Sequence, residues 1–270
     1  MIRIREAAVA GSFYPADSGE LHSMVHRMLD AAAPDAGPAP KALIVPHAGL
    51  VYSGPVAAAA YSRLRPYRSR YRRVVLLGPS HCVAFRGLAA SSAEVFRTPL
   101  GDVPVARAAL DALRHDAVSV IDAAHRAEHC LEVQLPFLQS LLGAFEMLPL
   151  VVGDARAADV ASVLDLLWGG PETLLVISSD LSHYLPYGQA RERDRATCDA
   201  IEALDAAGID AAQACGAAPL RGLLVAAGRR GLHPRTLDLR NSGDTSGSRG
   251  RVVGYGAWIL TEEHSCRDAA

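Results

Sequence analysis

The chain has little that would support several common functions. Its cysteines, Cys82, Cys130, Cys198, Cys215 and Cys266, are odd in number and form no CxxC pair. Neither a disulfide framework nor a zinc knuckle is indicated. Net charge is only -2, with no long basic run, so the electrostatic footprint of nucleic-acid binding is missing. Aromatics make up 6% of the chain, which leaves Ala, Val and Leu to fill the core. No apolar run approaches the ~20 residues that span a bilayer. The opening MIRIREAAVAGSFYP has no apolar core of the signal-peptide type. The sequence reads as a cytoplasmic protein with reduced cysteines and neither nucleic acid nor membrane as a partner. The GxSxG elbow of α/β hydrolases and the HExxH helix of zinc proteases are also missing.

What is present is a repeated grammar. Ala42–Val45 is a short branched apolar run, stopped by Pro46 and followed at once by His47. VVLLGPSH, ending at His81, and LLVISSDLSH, ending at His183, repeat the pattern. Such runs suit buried strands. Between them lie helical patterns: Ser18 to about Ala33, a segment opening at Ser53 or Gly54 with Pro55 in its first turn, Ala155–Trp168, Gln189–Ala206, and Pro219–Arg229 ended by Gly231. Glu128–Leu138 is also expected to be helical, with Pro136 kinking or ending its first segment. Late strands are expected at Thr236–Leu239 and Val252–Leu260. Pro34–Pro40 reads as a short linker. The 270 residues fit one α/β domain with a central mixed or parallel sheet flanked by helices on both faces. Open sheets of this kind build sites where strands end at their carboxyl edge, so the three histidines are expected to meet there.

Each candidate group has a functional and a plain reading. His47 and His81 follow rigid turns and suit metal ligation; either alone is better explained as a loop histidine capping a carbonyl, and it is the pair at matching positions on two strands that brings ligation level with that reading. Asp180 would fix the tautomer of His183 for acid–base work, or would cap a helix. Asp244, in the small-residue loop Asn241–Gly250, is either a surface-turn residue or a ligand. With His47 and His81 it would complete the two-histidine, one-carboxylate set that leaves open positions on non-haem Fe(II). Glu128, His129 and Glu132 have helix spacing and read as pocket lining or as a salt-bridged surface. Cys215 precedes a helix, so its thiol is either acidified there or buried and inert.

Several motifs together resemble the Memo family: AGSFYPAD, VPHAGLVYSG, LLGPSH, AEHCLEVQLPFL, ISSDLSHY, ACGAAPLRGLL and VVGYGAW. They run in order from about Ala10 to Trp258. That family is similar in fold to class III extradiol ring-cleaving dioxygenases. The resemblance implies a metal pocket at His47 and His81 with His183 beside it. In animal members a late-loop cysteine is the third ligand, whereas this chain has Asp244 or Thr245 near that position. A carboxylate there would favour Fe(II) over copper. The resemblance also implies a pathway shared with radical-SAM and AMMECR1-like proteins.

Three functions follow as expectations. The first is a non-haem Fe(II)- or copper-dependent, dioxygenase-like oxidoreductase acting on a small molecule. Its metal would sit on His47, His81 and Asp244, with His183 and Asp180 catalytic and His129, Glu132 and Cys215 lining the pocket. The second is a peptide- or protein-binding scaffold that retains an enzyme's pocket. The third is a metal-independent hydrolase using Ser179 or Cys215.

Overall fold

The computed structural model describes residues 2–32, 37–245 and 247–262. Ala33, the first part of the Pro34–Pro40 linker, Ser246 and Cys266 lie outside the described residues. The first half of the chain forms β1 (Ile4–Arg5), α1 (Ser18–Ala31), β2 (Ala42–Val45), α2 (Leu50–Tyr61), β3 (Arg73–Pro79), β4 (Leu88–Ala90), β5 (Val95–Thr98), β6 (Gly101–Pro104), α3 (Arg107–Ala112), β7 (Val118–Val120) and α4 (Asp122–Arg126). The second half forms α5 (Leu135–Leu141), β8 (Glu146–Val152), α6 (Ala157–Leu167), β9 (Thr173–Ser178), β10 (His183–Leu185), α7 (Tyr187–Glu202), α8 (Ala217–Arg229), β11 (Leu232–Asn241), α9 (Ser242–Thr245) and β12 (Val252–Glu262).

The large sheet has the order β10-β12-β2-β9-β3-β8-β4-β7, with β11 also paired to β12. Strands β2, β9, β3 and β8 are parallel, and β12 runs antiparallel to β2. Every residue of β2 and β9 is buried. A strand alternates its side chains between two faces, so both faces at the centre are covered, as parallel sheets require. A smaller sheet, β1-β5-β6, carries the N-terminal strand.

The helices follow local rules. Asp17 caps α1, its side chain accepting from Glu20 N at 2.9 Å. Leu21, Val25 and Leu29 then recur every four residues and are fully buried. Gly231, at φ +65°, follows the end of α8, a backbone conformation that costs glycine nothing. Helix α2 starts at Leu50 and not at Ser53, so Pro55 lies within it. Glu128–Leu138 is not one helix. Its first residues form a turn, Glu132–Gln134 is a 3₁₀ turn, and α5 starts only at Leu135. Pro136 neither kinks nor ends a helix; it sits at the start of α5, where no backbone donor is needed. The expected helical spacing of Glu128, His129 and Glu132 therefore does not exist.

Helices α6 and α8 pack closely through Gly222. A Cβ there would lie 2.3 Å from Val160 Cγ1 and 2.4 Å from its Cβ. Gly222→Ala in an exposed helix would gain about 1 kcal/mol in propensity. Here overpacking of a β-branched neighbour costs about 1–3 kcal/mol and wins. Urea unfolding of this variant is expected to show a net loss of stability with an unchanged m-value; a gain would mean the two helices separate freely.

Candidate metal centre

Strands β2 and β3 do not touch: β9 lies between them. Their carboxyl ends carry His47 and His81, and the end of β9 carries Ser178. That arrangement places a hydroxyl between the two histidine turns. Ser178 Oγ donates to Cys130 O at 2.7 Å. Its one hydrogen is thereby used, so it can only accept from its other neighbours. Gln134 Nε2 donates to it at 2.8 Å, and His47 Nδ1 lies 2.9 Å away. Nδ1 must therefore carry the proton, which leaves the Nε2 lone pair of His47 directed outward from the strand end. Tyr61 donates to Gln134 Oε1 at 2.9 Å, and Gln134 also donates to Pro46 O at 2.9 Å, so the relay is locked at each step.

His81 is fixed by a carboxylate. Glu128 Oε2 accepts from His81 N at 2.7 Å, and Glu128 Oε1 faces His81 Nδ1 at 2.8 Å. Burial alone would raise the Glu128 carboxyl. The hydrogen bonds from the His81 ring and backbone, and from Cys130 N, outweigh it and hold the group at about 2. An ionised carboxylate only accepts, so His81 Nδ1 donates, and in the neutral imidazole Nε2 is then the nitrogen left with a lone pair. Glu128 Oε1 also accepts from His129 N at 3.0 Å and sets the start of that loop.

His129 completes the group. The ligating atoms of His47, His81 and His129 lie within 4.8 Å of one another. The His47 ring stands edge-on to both partners, with centroids 5.1 Å from His81 and 5.4 Å from His129; His81 and His129 stack at 4.6 Å. His47 is 1% exposed. Burial first, and then the neighbouring imidazoles, push its pKa well below the usual value, so it stays neutral and able to ligate. Neutral imidazoles whose far nitrogens are anchored are the donors that metal sites use. The residues present therefore fit a metal ion. The ligating atoms of His81, Glu128 and Cys130 also lie within 4.8 Å of one another; Glu128 is committed to orienting His81, and Cys130 donates to Pro79 O at 3.1 Å.

The remaining expected site residues lie elsewhere. Asp244 is not in the imidazole group: its carboxylate accepts from Tyr187 at 2.6 Å and from Asn241 N at 3.1 Å, which turns it into the α7–β11 cleft. Glu132 does not line the pocket; it is fully buried against Arg5, Tyr14, Ala8 N and Val9 N. Asp180 does not fix His183. Its Oδ1 accepts from His47 N at 2.7 Å and Ala48 N at 3.3 Å, so it shapes the His47 turn, and burial raises its pKa. His183 is an exposed residue of β10, paired with Val253. Cys215 Sγ lies 3.3 Å from His47 Nε2. Its thiol is not acidified by the nearby helix; burial pushes it up to about 12. Among the described residues no basic side chain is hydrogen-bonded to Ser179, whose hydroxyl donates to Asp180 O at 2.8 Å. Ser178, Gln134 and Tyr61 were not among the expected site residues. The one available signal was polar side chains in otherwise apolar runs, and it does not say what they touch.

The strand-end cluster on a mixed, helix-flanked sheet defines an α/β protein with a histidine-rich candidate metal centre. The chain belongs to the Memo-like protein family, whose profile matches residues 5–259. A MEMO1 family protein of Aquifex aeolicus is 36% identical, covering 94% of this chain and 98% of its own length. One from Aeropyrum pernix is 38% identical, covering 95% and 99%. A solved structure of an uncharacterized protein from Escherichia coli K12 superposes with a TM-score of 0.51 at 14% identity, covering 81% of this chain and 98% of that one. At that identity the likeness concerns the fold. Among the described residues, no helix is long and apolar enough to cross a membrane.

The Glu128 environment makes a pH prediction. Its folded pKa is depressed from 4.5 to about 2. Its contribution is therefore fully present above about pH 4.5 and lost as pH falls towards 2. At about 1.4 kcal/mol per unit, this is on the order of 3 kcal/mol. Urea midpoints measured between pH 2 and 6 should fall less steeply with acid in Glu128→Gln than in the wild type. Parallel curves would mean the carboxylate is not stabilised by its neighbours.

Proposed function

We propose that this protein is a metal-dependent oxidoreductase acting on a small molecule at His47, His81 and His129. The observation that carries this proposal is the convergence of three imidazoles, two of them with Nδ1 occupied and Nε2 left for ligation. The set differs from the two-histidine, one-carboxylate arrangement expected with Asp244. Imidazoles suit copper, iron and zinc, and affinity at a nitrogen site rises from Fe(II) to Cu(II). Copper is thus the ion this donor set favours, and Fe(II) is the alternative that elemental analysis separates.

Bound there with open positions, the metal would supply electron transfer and Lewis acidity to a substrate. The protein's part is to place and protect. Ser178 and Glu128 hold protons on Nδ1 of His47 and His81, so the Nε2 atoms are available. Asp180 holds the His47 turn through two backbone donors. Phe13 covers one side of His129, with ring centroids 4.6 Å apart. Cys215 must yield His47 Nε2 for that nitrogen to bind. His183 is exposed on β10, and we assign it the exchange of protons with solvent.

The test is elemental analysis of protein grown with iron and copper and purified anaerobically. Near-stoichiometric metal is expected in the wild type and in Asp244→Ala, with loss in His47→Ala, His81→Ala and His129→Ala. Loss in Asp244→Ala with retention in His129→Ala would return the carboxylate to the centre. A metal-free wild type would overturn the oxidoreductase proposal and favour a partner-binding role.

A further inference from the structure

Residues 5–14 run across the outside of the ligand-bearing loops and touch two of them. Arg5, 7% exposed, is the hub. Its Nε donates to His125 O at 3.0 Å, and its two other nitrogens donate to Glu128 O and to the Glu132 carboxylate. One guanidinium thus grips the 125–132 loop at three points, on either side of His129. Glu132, with no exposure, returns the grip. Besides Arg5 it accepts from Ala8 N at 2.8 Å, Val9 N at 3.1 Å and the Tyr14 hydroxyl. The burial of Tyr14 and its bond to Glu132 both raise the phenol's pKa, so it remains a donor.

The same segment reaches the His47 loop. Phe13 O accepts from Leu50 N at 2.8 Å, and a Cβ on Gly49 would pack 3.5 Å from Phe13 O. The Phe13 ring lies against His129. The N-terminal segment is therefore a second link, beside Ser178 and Gln134, between the turn that carries His47 and the loop that carries His129.

We propose that Arg5 and Glu132 are positioning residues of the metal centre. Their buried ion pair docks the N-terminal segment, and the docked segment sets His129 against His47 and His81. Neither side chain belongs to the imidazole group, and both act through the backbone and through Phe13. This inference rests on the metal proposal above. Without the ion pair, His47 keeps its anchor on Ser178 and His81 its contacts to the Glu128 carboxylate, while His129 keeps only its contact to Glu128 and loses the packing of the docked segment. The expected result is a site reduced from three nitrogens to two.

The experiment titrates Co(II) into the full-length wild type, Arg5→Met, Glu132→Gln and Phe13→Ala. Affinity is followed by chelator competition and coordination by the visible d–d spectrum. Phe13→Ala keeps the ion pair and guards against variants that fail to fold. The expected result is a fall in affinity of about 10- to 100-fold, the usual effect of losing a group that orients a ligand. The d–d band should also change as one nitrogen is lost. Folded variants with wild-type affinity and spectrum would overturn the proposal. If the wild type binds no Co(II), the metal proposal fails separately. The positioning claim is then decided by the His129 Cε1–H NMR resonance in metal-free protein: a shift in folded Arg5→Met or Glu132→Gln supports it, and an unmoved resonance overturns it.

Discussion

Two buried acceptors determine what this site can do. The Ser178 hydroxyl has spent its hydrogen on Cys130 O, and the Glu128 carboxylate has none. Each therefore requires a proton on the imidazole nitrogen that faces it. That requirement fixes the tautomer of His47 and of His81 together, and it aims both remaining lone pairs away from their anchors. Were Ser178 free to donate to His47, the opposite tautomer would be equally accessible and the site would lose its defined donor. The Gln134 and Tyr61 hydrogen bonds matter for this reason: they close off the alternative arrangements of a rotating hydroxyl.

The sheet order is what allows such anchors to exist. Because β9 lies between β2 and β3, the end of one strand supplies the hydroxyl that orients the histidine of its neighbour. A parallel sheet brings all three strand ends to one edge, so short turns suffice and long catalytic loops are not needed. Close packing at that edge then excludes substitutions: a Cβ on Gly78 would lie 2.5 Å from Cys130 Sγ. The strand and the side chains of the loop that carries His129 approach too closely for a Cβ at position 78 unless Cys130 shifts.

Much of this was legible in the sequence, for identifiable reasons. Ala42–Val45 and the run ending at Ser178 are short, branched and bounded by breakers, so strand identity and the turn after each could be read directly. His47 and His81 followed from that reading. His129 was harder, since its group was read as one face of a helix. The spacing was compatible with a helix, but Arg5 and Glu128 hold this stretch in turns through contacts more than forty residues away in sequence. Asp244 illustrates the opposite error. A small-residue loop with one carboxylate is chemically apt for a ligand, yet nothing local shows that Tyr187 and the Asn241 backbone engage that carboxylate. Glu132 looked like pocket lining because its partners, at the far N-terminus, cannot be inferred from neighbours in sequence.

The insertion of β9 between β2 and β3 also has a kinetic side. As the chain leaves the ribosome, the turns carrying His47, His81 and His129 are all made before residues 173–178 appear. Until then, β2 and β3 lack the strand that spaces them, and His47 lacks its hydroxyl anchor. Long-range parallel pairing of this kind closes slowly. A metal ion held there would find its full set of anchored donors only once the middle of the sheet has formed. Occupancy would then report completed folding, and loss of the ion would accompany opening of the central strands more than fraying at the edges.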